Sequence, residues 1–313
     1  MSKTKTHIEK LFSLEDHCAV VIGGKGKIGL PMSEALAEAG AKVFVVSPST
    51  KDEDKEIVSL KKRGLDVAGE SLDQSNEFDV NQLIKNIKKN FKTPDILINC
   101  GVERPMKKFI DDDVLQWDRS MEVNARGLFL TCRAFAKTMA AEGGGSIINI
   151  ASIYGLVAPD KSIYEGTNIN TEPDYPYTKG GMIMFSKYLA SYFANSNVRV
   201  NCIAPGGMFN NQDKSFIEKY IQKVPMNRMG YHNDMKGVAV FCGVMLMLYL
   251  AAPTLSCNGG SGVRIAGPGR VTMSGLGVDM SREEFLADGW TPSPQMPANL
   301  KKDNLYATFD KEG

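Results

Sequence analysis

Short runs of uninterrupted apolar residues alternate along this chain with longer stretches of helical period. Cys18–Ile22, Lys42–Val46, Asp95–Asn99, Ser146–Ala151 and Val198–Ile203 are apolar on successive positions rather than every second one. That pattern predicts strands buried on both faces. Between them, Ile28–Ala39, Asp52–Arg63, Phe78–Phe91 and Tyr177–Ala194 read as helices, as does the long stretch Val114–Ala141 with Trp117, Met121, Leu128, Phe129 and Phe135. Strands alternating with helices imply an α/β protein with a parallel sheet. Right-handed crossovers place helices on both faces and make the sheet doubly wound. The pattern decays after about residue 255. Residues 1–255 therefore read as one domain, and 256–313, rich in glycine and then in proline and charge, as a divergent, partly irregular extension.

Composition narrows the function classes. The 313 residues are 43% hydrophobic and 23% charged, with a formal net charge of +1. A near-neutral chain without a basic stripe gives no reason to expect nucleic acid. The six cysteines (Cys18, Cys100, Cys132, Cys202, Cys242 and Cys257) sit mostly in apolar runs and lack CxxC spacing. They read as small core hydrophobes in a reducing compartment, with no metal site among them. The N-terminus has no apolar core, so no signal peptide is expected and the cytoplasm is the default. From Gly237 to Val263 no residue is charged, a length that could span a bilayer. Pro253 and the following Ser-Cys-Asn-Gly-Gly favour a buried helix running into a strand instead.

The first candidate chemistry lies directly after the first strand. Gly23-Gly24-Lys25-Gly26-Lys27-Ile28-Gly29 satisfies GxGxxG through Gly24, Gly26 and Gly29, and GxxGxxG through Gly23, Gly26 and Gly29. Glycines let the chain turn tightly, approach a pyrophosphate and pack the next helix closely. That helix offers free N–H groups and its positive dipole end to the anion. Strand before and helix after is the context that confirms a dinucleotide loop. An acidic residue at the end of the second strand would bind a ribose diol, but this chain has Ser47, with Lys25, Lys27 and Lys51 nearby. NADP(H) is thereby favoured over NAD(H).

The second is Tyr175-Pro-Tyr-Thr-Lys179. Four positions put the phenol and the ammonium on one helix face, where the cation favours the ionised phenol and lets it act as an acid or base. The order of the motifs resembles that of the short-chain dehydrogenase/reductase family over about residues 15–245. The carriers are the glycine loop, Asp95-Ile-Leu-Ile-Asn99-Cys-Gly101, Val123-Asn124-Ala-Arg-Gly127, Asn149-Ile-Ala-Ser152, Tyr175xxxLys179 and Asn201-Cys-Ile-Ala-Pro205-Gly206.

The resemblance implies a Rossmann-type fold, NAD(P), and hydride transfer between an alcohol and a carbonyl of a small-molecule substrate. Carried over, Tyr175 exchanges a proton with the substrate oxygen and Ser152 polarises it. Lys179 binds the nicotinamide ribose, and Asn124 anchors a water leading from Lys179 to solvent. Asn99, Gly101 and Asp73 lie beside the adenosine half, and Pro205 and Gly206 flank the nicotinamide. The family assembles through its long central helices, so a homo-oligomer, dimer or tetramer, is expected. Met182, Met184, Phe185, Leu189 and Phe193 permit it, and serve equally as core.

Ser152 and Tyr175 are ten positions further apart than is common in the family, and the extra segment 160–173 is expected to edge the substrate pocket. That insertion, the GGxGxIG loop and Pro205-Gly-Gly-Met208 look like a bacterial subgroup associated with flagellin and surface-glycan modification, which suggests a sugar or sugar-derived substrate. Pro176 is expected to start the regular helix at Tyr175. The family's closing strand has two imperfect candidates, Gly262–Gly267 and Ala287–Thr291. A dehydratase or epimerase using the same nicotinamide chemistry is the alternative enzyme, and a non-catalytic dinucleotide-binding scaffold the alternative to catalysis.

Overall fold

The computed structural model describes residues 6–244, together with the backbone of six short strands between 254 and 308. The expected runs become β1 (Cys18–Ile22), β2 (Lys42–Ser47), β4 (Ile96–Asn99), β5 (Gly145–Ile150) and β6 (Val198–Ala204). Two further strands join them, β3 (Val67–Ser71) and β7 (Thr254–Ser256), giving one parallel sheet in the order β3-β2-β1-β4-β5-β6-β7. The chain leaves β1 for β2 on one side and returns to place β4 on the other, with Val21 paired to both Val45 and Ile98. The crevice outside the carboxyl ends of β1 and β4 is thus the topological switch point, where ligands bind in sheets of this kind.

Burial on both faces follows directly from the apolar runs. Val20, Leu97 and Ile147 pack with Phe135, Met139 and Met182, while their strand neighbours Val21, Ile98 and Ile148 pack with Met32, Leu36 and Met235. The first set faces helices α4 (Glu77–Asn90), α6 (Gly127–Ala141) and α7 (Asp174–Tyr192); the second faces α2 (Gly29–Glu38) and α9 (Asp234–Gly243). Successive strand residues alternate between two cores, which is the period of two expressed in three dimensions.

Three local departures from expectation have physical causes. The long helix read over 114–141 is divided into α5 (Val114–Ser120), a π-helical turn Met121–Arg126 and α6. Gln74 stands beside the widened turn and donates from Nε2 to the carbonyl of Val123 at 2.8 Å. Helix α7 begins at Asp174, one residue before Tyr175, because Pro176 lies in the first turn, where N–H groups have no intrahelical acceptor to lose. Strand β4 begins after Asp95, whose carboxylate instead accepts the Cys18 N–H at 2.8 Å and Lys92 at 2.8 Å. Burial alone would raise that carboxyl's pKa, but His17, Lys92 and the Cys18 N–H outweigh it and hold it below the ordinary value.

The start of the uncharged stretch enters the second core through Ala239 and Cys242 of α9, positions 245–253 of it lie outside the described residues, and no helix among the described residues is long and apolar enough to cross a membrane. Short helices α1 (His7–Leu11), α3 (Lys55–Lys62) and α8 (Lys214–Ile221) complete the α-helices among the described residues. Within the extension, β8 (Val271–Thr272) pairs with β9 (Asp279–Met280), and β11 (Met296–Lys302) pairs with both β10 (Thr291–Ser293) and β12 (Leu305–Thr308), all antiparallel. The two closing-strand candidates, at 262–267 and 287–290, lie outside the described residues, as does Cys257.

Candidate active site

The glycine loop has the shape its sequence promises. Gly23 adopts φ +74°, and its N–H and that of Gly24 both donate to the Val46 carbonyl at the end of β2. A Cβ on Gly29 would lie 2.2 Å from the Gly23 carbonyl oxygen, and one on Gly23 would lie 2.5 Å from the Gly101 nitrogen. Both contacts are shorter than real Cβ atoms tolerate, so the turn after β1 and the turn after β4 close on each other only as glycines. Helix α2 starts here with no side chain capping its first turn and no acidic residue in it. The residues present therefore fit a pyrophosphate: glycine backbone and uncapped N–H groups face one place. Gly26 and Lys27 are exposed at the loop tip and Ile28 is half-buried beneath them.

At the end of β2, the Ser47 hydroxyl bonds that of Thr50 at 2.5 Å. Lys25 is tied to Asp54 at 2.6 Å, and the pairing holds that carboxyl below its ordinary pKa. Lys25 is thus already neutralised, while Lys27 and Lys51 form no ion pair among the described residues. Asp73 follows β3 and accepts from Ser75 through both N–H and hydroxyl at Oδ1, leaving Oδ2 without a hydrogen-bond partner among the described residues.

Two expected site residues turn out to be committed elsewhere by their side chains. Asn99, 5% exposed, donates to Asn149 Oδ1 at 2.8 Å and accepts from Thr131 at 3.2 Å, and Asn149 passes the network to Ser186. Its amide ties β4 to β5, α6 and α7, so only its backbone is left for an adenosine. Asn124 sits in the π-helical turn. Its Oδ1 accepts the Glu103 N–H at 2.8 Å, and its Nδ2 donates to the Glu103 carbonyl at 2.7 Å and to Ser120 at 3.0 Å. The side chain thus pins the turn to the loop after β4.

Ser152, Tyr175, Pro205 and Gly206 come together. All four line one cavity of about 240 Å³ beyond the carboxyl ends of β5 and β6, and Ile28 of the glycine loop lines it as well. Ser152 leaves β5 in extended conformation and accepts the Tyr154 N–H at 3.1 Å. Lys179 is 4% exposed below the cavity, with Nζ donating to the Ile150 carbonyl at 2.7 Å and lying 5.7 Å from the Tyr175 ring centroid. One of its three donors is fixed on β5 and two remain. Cys100, beside the same crevice, is pushed up to about 12 by burial and stays a neutral thiol.

The remaining walls come from residues without a motif. Tyr164, Ile169, Asn170 and Thr171 of the insertion line the cavity, as do Arg104, Tyr154, Gln212 and Tyr220. The insertion is braced against α8 by a small core of Ile163, Tyr164, Phe216, Tyr220 and Met229, by a Lys223–Asp160 ion pair at 2.6 Å, and by Lys219 donating to the Glu165 carbonyl at 2.7 Å. The Tyr154 and Tyr164 hydroxyls share a 2.6 Å hydrogen bond; burial, followed by that bond, raises the Tyr154 pKa, so this phenol stays protonated. Sequence spacing had marked the insertion, whereas Arg104 and Gln212 carried no signal beyond standing in loops after strand ends.

Comparison with known proteins agrees with this geometry. The family model described as short chain dehydrogenase matches residues 17–220. A 3-oxoacyl-(acyl-carrier-protein) reductase of Aquifex aeolicus is 29% identical over 257 residues, covering 79% of this chain and 98% of that one. A 2-dehydro-3-deoxy-D-gluconate 5-dehydrogenase of Pseudoalteromonas atlantica is 30% identical over 259 residues, covering 80% and 97%. A short chain dehydrogenase from Leptospira borgpetersenii, solved with bound NAD+, superposes with a TM-score of 0.71 at 30% identity, covering 83% and 97%.

Proposed function

We propose specific residue roles for a chain that belongs to the short-chain dehydrogenase family and interconverts an alcohol and a carbonyl with NAD(P). The observation that carries them is the convergence of Ser152 and Tyr175 on one cavity beside the glycine loop, with the Lys179 ammonium beneath. The nicotinamide supplies the hydride. Tyr175 gives the proton to the substrate oxygen in reduction and takes it back in oxidation. Ser152 hydrogen-bonds that oxygen and favours the charge that builds on it. Lys179 holds the nicotinamide ribose with its two remaining donors. Gly23, Gly26 and Gly29 cradle the pyrophosphate, Asp73 and the backbone of Asn99 and Gly101 border the adenosine, and Pro205 and Gly206 position the nicotinamide. The catalytic unit in this reading is residues 1–255, with 256–313 as an appendage.

Three finer readings go with it. NADP(H) is favoured because no carboxylate stands at Ser47 to repel a 2′-phosphate, although Asp54 already holds Lys25. A sugar or sugar-derived substrate, as in the glycan-modification subgroup, is supported by the polar walls of Asn170, Thr171 and Gln212 and by the sugar-acid dehydrogenase among the relatives. The five described cysteines are all free, which suits a reducing cytoplasm.

Thermal unfolding with each cofactor tests the nucleotide site. Ligand at a hundred times its Kd stabilises by about 2.7 kcal/mol, a shift of several degrees, and NADP(H) should outdo NAD(H). Gly29→Ala should remove the shift, since its Cβ meets the Gly23 carbonyl. No shift with either cofactor would sink the assignment. Net oxidation of NADPH by a ketone, with product carbinol, separates it from a dehydratase or epimerase, which returns its cofactor unchanged.

A homo-oligomer is supported by the outer faces of α6 and α7. Met184, Tyr188 and Tyr192 are more than half exposed, and Phe129 lies 6.1 Å from Phe185 and Tyr188 5.9 Å from Tyr192. Such an unpartnered aromatic stripe suits a second copy. Light scattering should give a dimer or tetramer, and a monomer at micromolar concentration would contradict it.

A further inference from the structure

We propose that Arg104 is the carboxylate-binding residue of this site and that the substrate is a polyhydroxylated carboxylic acid of the aldonate type. The proposal rests on the reading of Tyr175 as the proton donor and names what Tyr175 acts on. The Arg104 guanidinium carbon stands 4.5 Å from the centroid of the Tyr175 ring, at the exposed mouth of the cavity that Tyr175 and Ser152 line. Among the described residues that line this cavity, Arg104 alone is charged.

Its hydrogen bonding is incomplete in a specific way. Nη2 donates to the Asn170 carbonyl at 3.2 Å and to Thr171 Oγ1 at 3.4 Å, both long, and no ion pair joins Arg104 to a carboxylate among the described residues. Arg63, Arg119, Arg133 and Arg228 all have such partners. Two neighbouring acids are engaged elsewhere: Glu103 pairs with Arg119, and Glu172 accepts the Phe109 N–H and the Asn170 amide. Nη1 and Nε therefore keep free donors, held in place by the aromatic face below. A planar fork of N–H groups fits a carboxylate with two parallel hydrogen bonds.

The rest of the wall is matched to hydroxyls. Asn170, Thr171 and Gln212 present amide and hydroxyl groups, while Met208 and Met229 close the apolar side. Thr171 Oγ1 donates to Tyr164 Oη at 3.0 Å, so the insertion sets the position of Arg104's partners before substrate arrives. With the acid on Arg104 and the reacting oxygen between Ser152 and Tyr175, carboxylate and reacting carbon belong to one short chain. An uncharged acyl thioester would leave the guanidinium with no counter-charge.

The test is calorimetric titration of the enzyme–NADP+ complex with sodium D-gluconate and with the isosteric, uncharged D-gluconamide. The wild-type complex should bind gluconate more tightly by on the order of 10- to 100-fold, the worth of a charge-assisted pair. Arg104→Met should remove that preference and Arg104→Lys should keep part of it, with NADP+ affinity and melting temperature confirming that both variants fold. Equal binding of acid and amide, a preference that survives in Arg104→Met, equal loss of both ligands (a strap for the insertion and nothing more), or no binding of either would each overturn the proposal. Failure here, with NADP+ still bound and neutral ketones still reduced in a Tyr175-dependent manner, leaves the oxidoreductase reading standing. Loss of those two as well would sink both.

Discussion

Tyr175→Phe lowers kcat by about 10²–10⁴-fold, the usual contribution of a positioned general acid, and leaves cofactor binding intact. The reason is that only one oxygen is lost. The ring that lies under Arg104 and near Lys179 is kept, and α7 already starts at Asp174, so neither its first turn nor the cavity wall depends on the hydroxyl. Steady-state kinetics with NADPH and a reducible ketone, beside a thermal-shift titration of the same variant, separates chemistry from binding. Undiminished kcat would remove Tyr175 from the mechanism, and loss of cofactor binding alone would make its role structural.

Lys179→Met has the second large effect, and a different signature. The side chain is 4% exposed and its ammonium is fixed on the Ile150 carbonyl, so it serves both the sheet and the proposed ribose contact. Replacement removes a cation from beside the phenol as that group gives up its proton, a loss of preorganised charge that costs about 10²–10³ in kcat. It also weakens NADP+ binding, which Tyr175→Phe does not. The Ile150 carbonyl is left without its donor, at about 1–3 kcal/mol of stability for an unsatisfied buried acceptor. Fluorescence titration of NADPH binding, denaturant unfolding and kcat should all move together in this variant. A variant with wild-type cofactor affinity would show that Lys179 does not touch the ribose.

How much of this was readable in the sequence differs from element to element. Strands β1, β2, β4, β5 and β6 were legible because burial on both faces leaves a continuous apolar run. β3 was not: it is the sheet's edge, and Val67-Ala-Gly-Glu-Ser71 is too polar to announce a strand. α8 was missed for a related reason, since its apolar residues Phe216 and Tyr220 pack on the insertion, far away in sequence. In the site, spacing singled out Ser152 and Tyr175, which line one cavity, and Lys179, which lies 5.7 Å from the Tyr175 ring centroid. It could not show that the amides of Asn99 and Asn124 turn inward, because a motif fixes the residue type and not the direction of its side chain. Pro176 placed the start of α7 one residue late, because a proline in the first turn loses no intrahelical hydrogen bond and so leaves Asp174 free to begin the helix. Arg104 stood outside every motif, and only the lack of an ion pair to it among the described residues, visible in three dimensions, marks it.

The central claim is that Ser152, Tyr175 and Lys179 surround one end of a cofactor cradled by Gly23–Gly29. A crystal structure of the complex with NADP+ tests it most directly. The account predicts the pyrophosphate against the N-terminus of α2, the nicotinamide ring between Pro205–Gly206 and the cavity, and the Lys179 ammonium within hydrogen-bond reach, about 2.6–3.2 Å, of the nicotinamide ribose hydroxyls. A nicotinamide ring lying outside the cavity, or a ribose with Lys179 still bound only to Ile150, would contradict it.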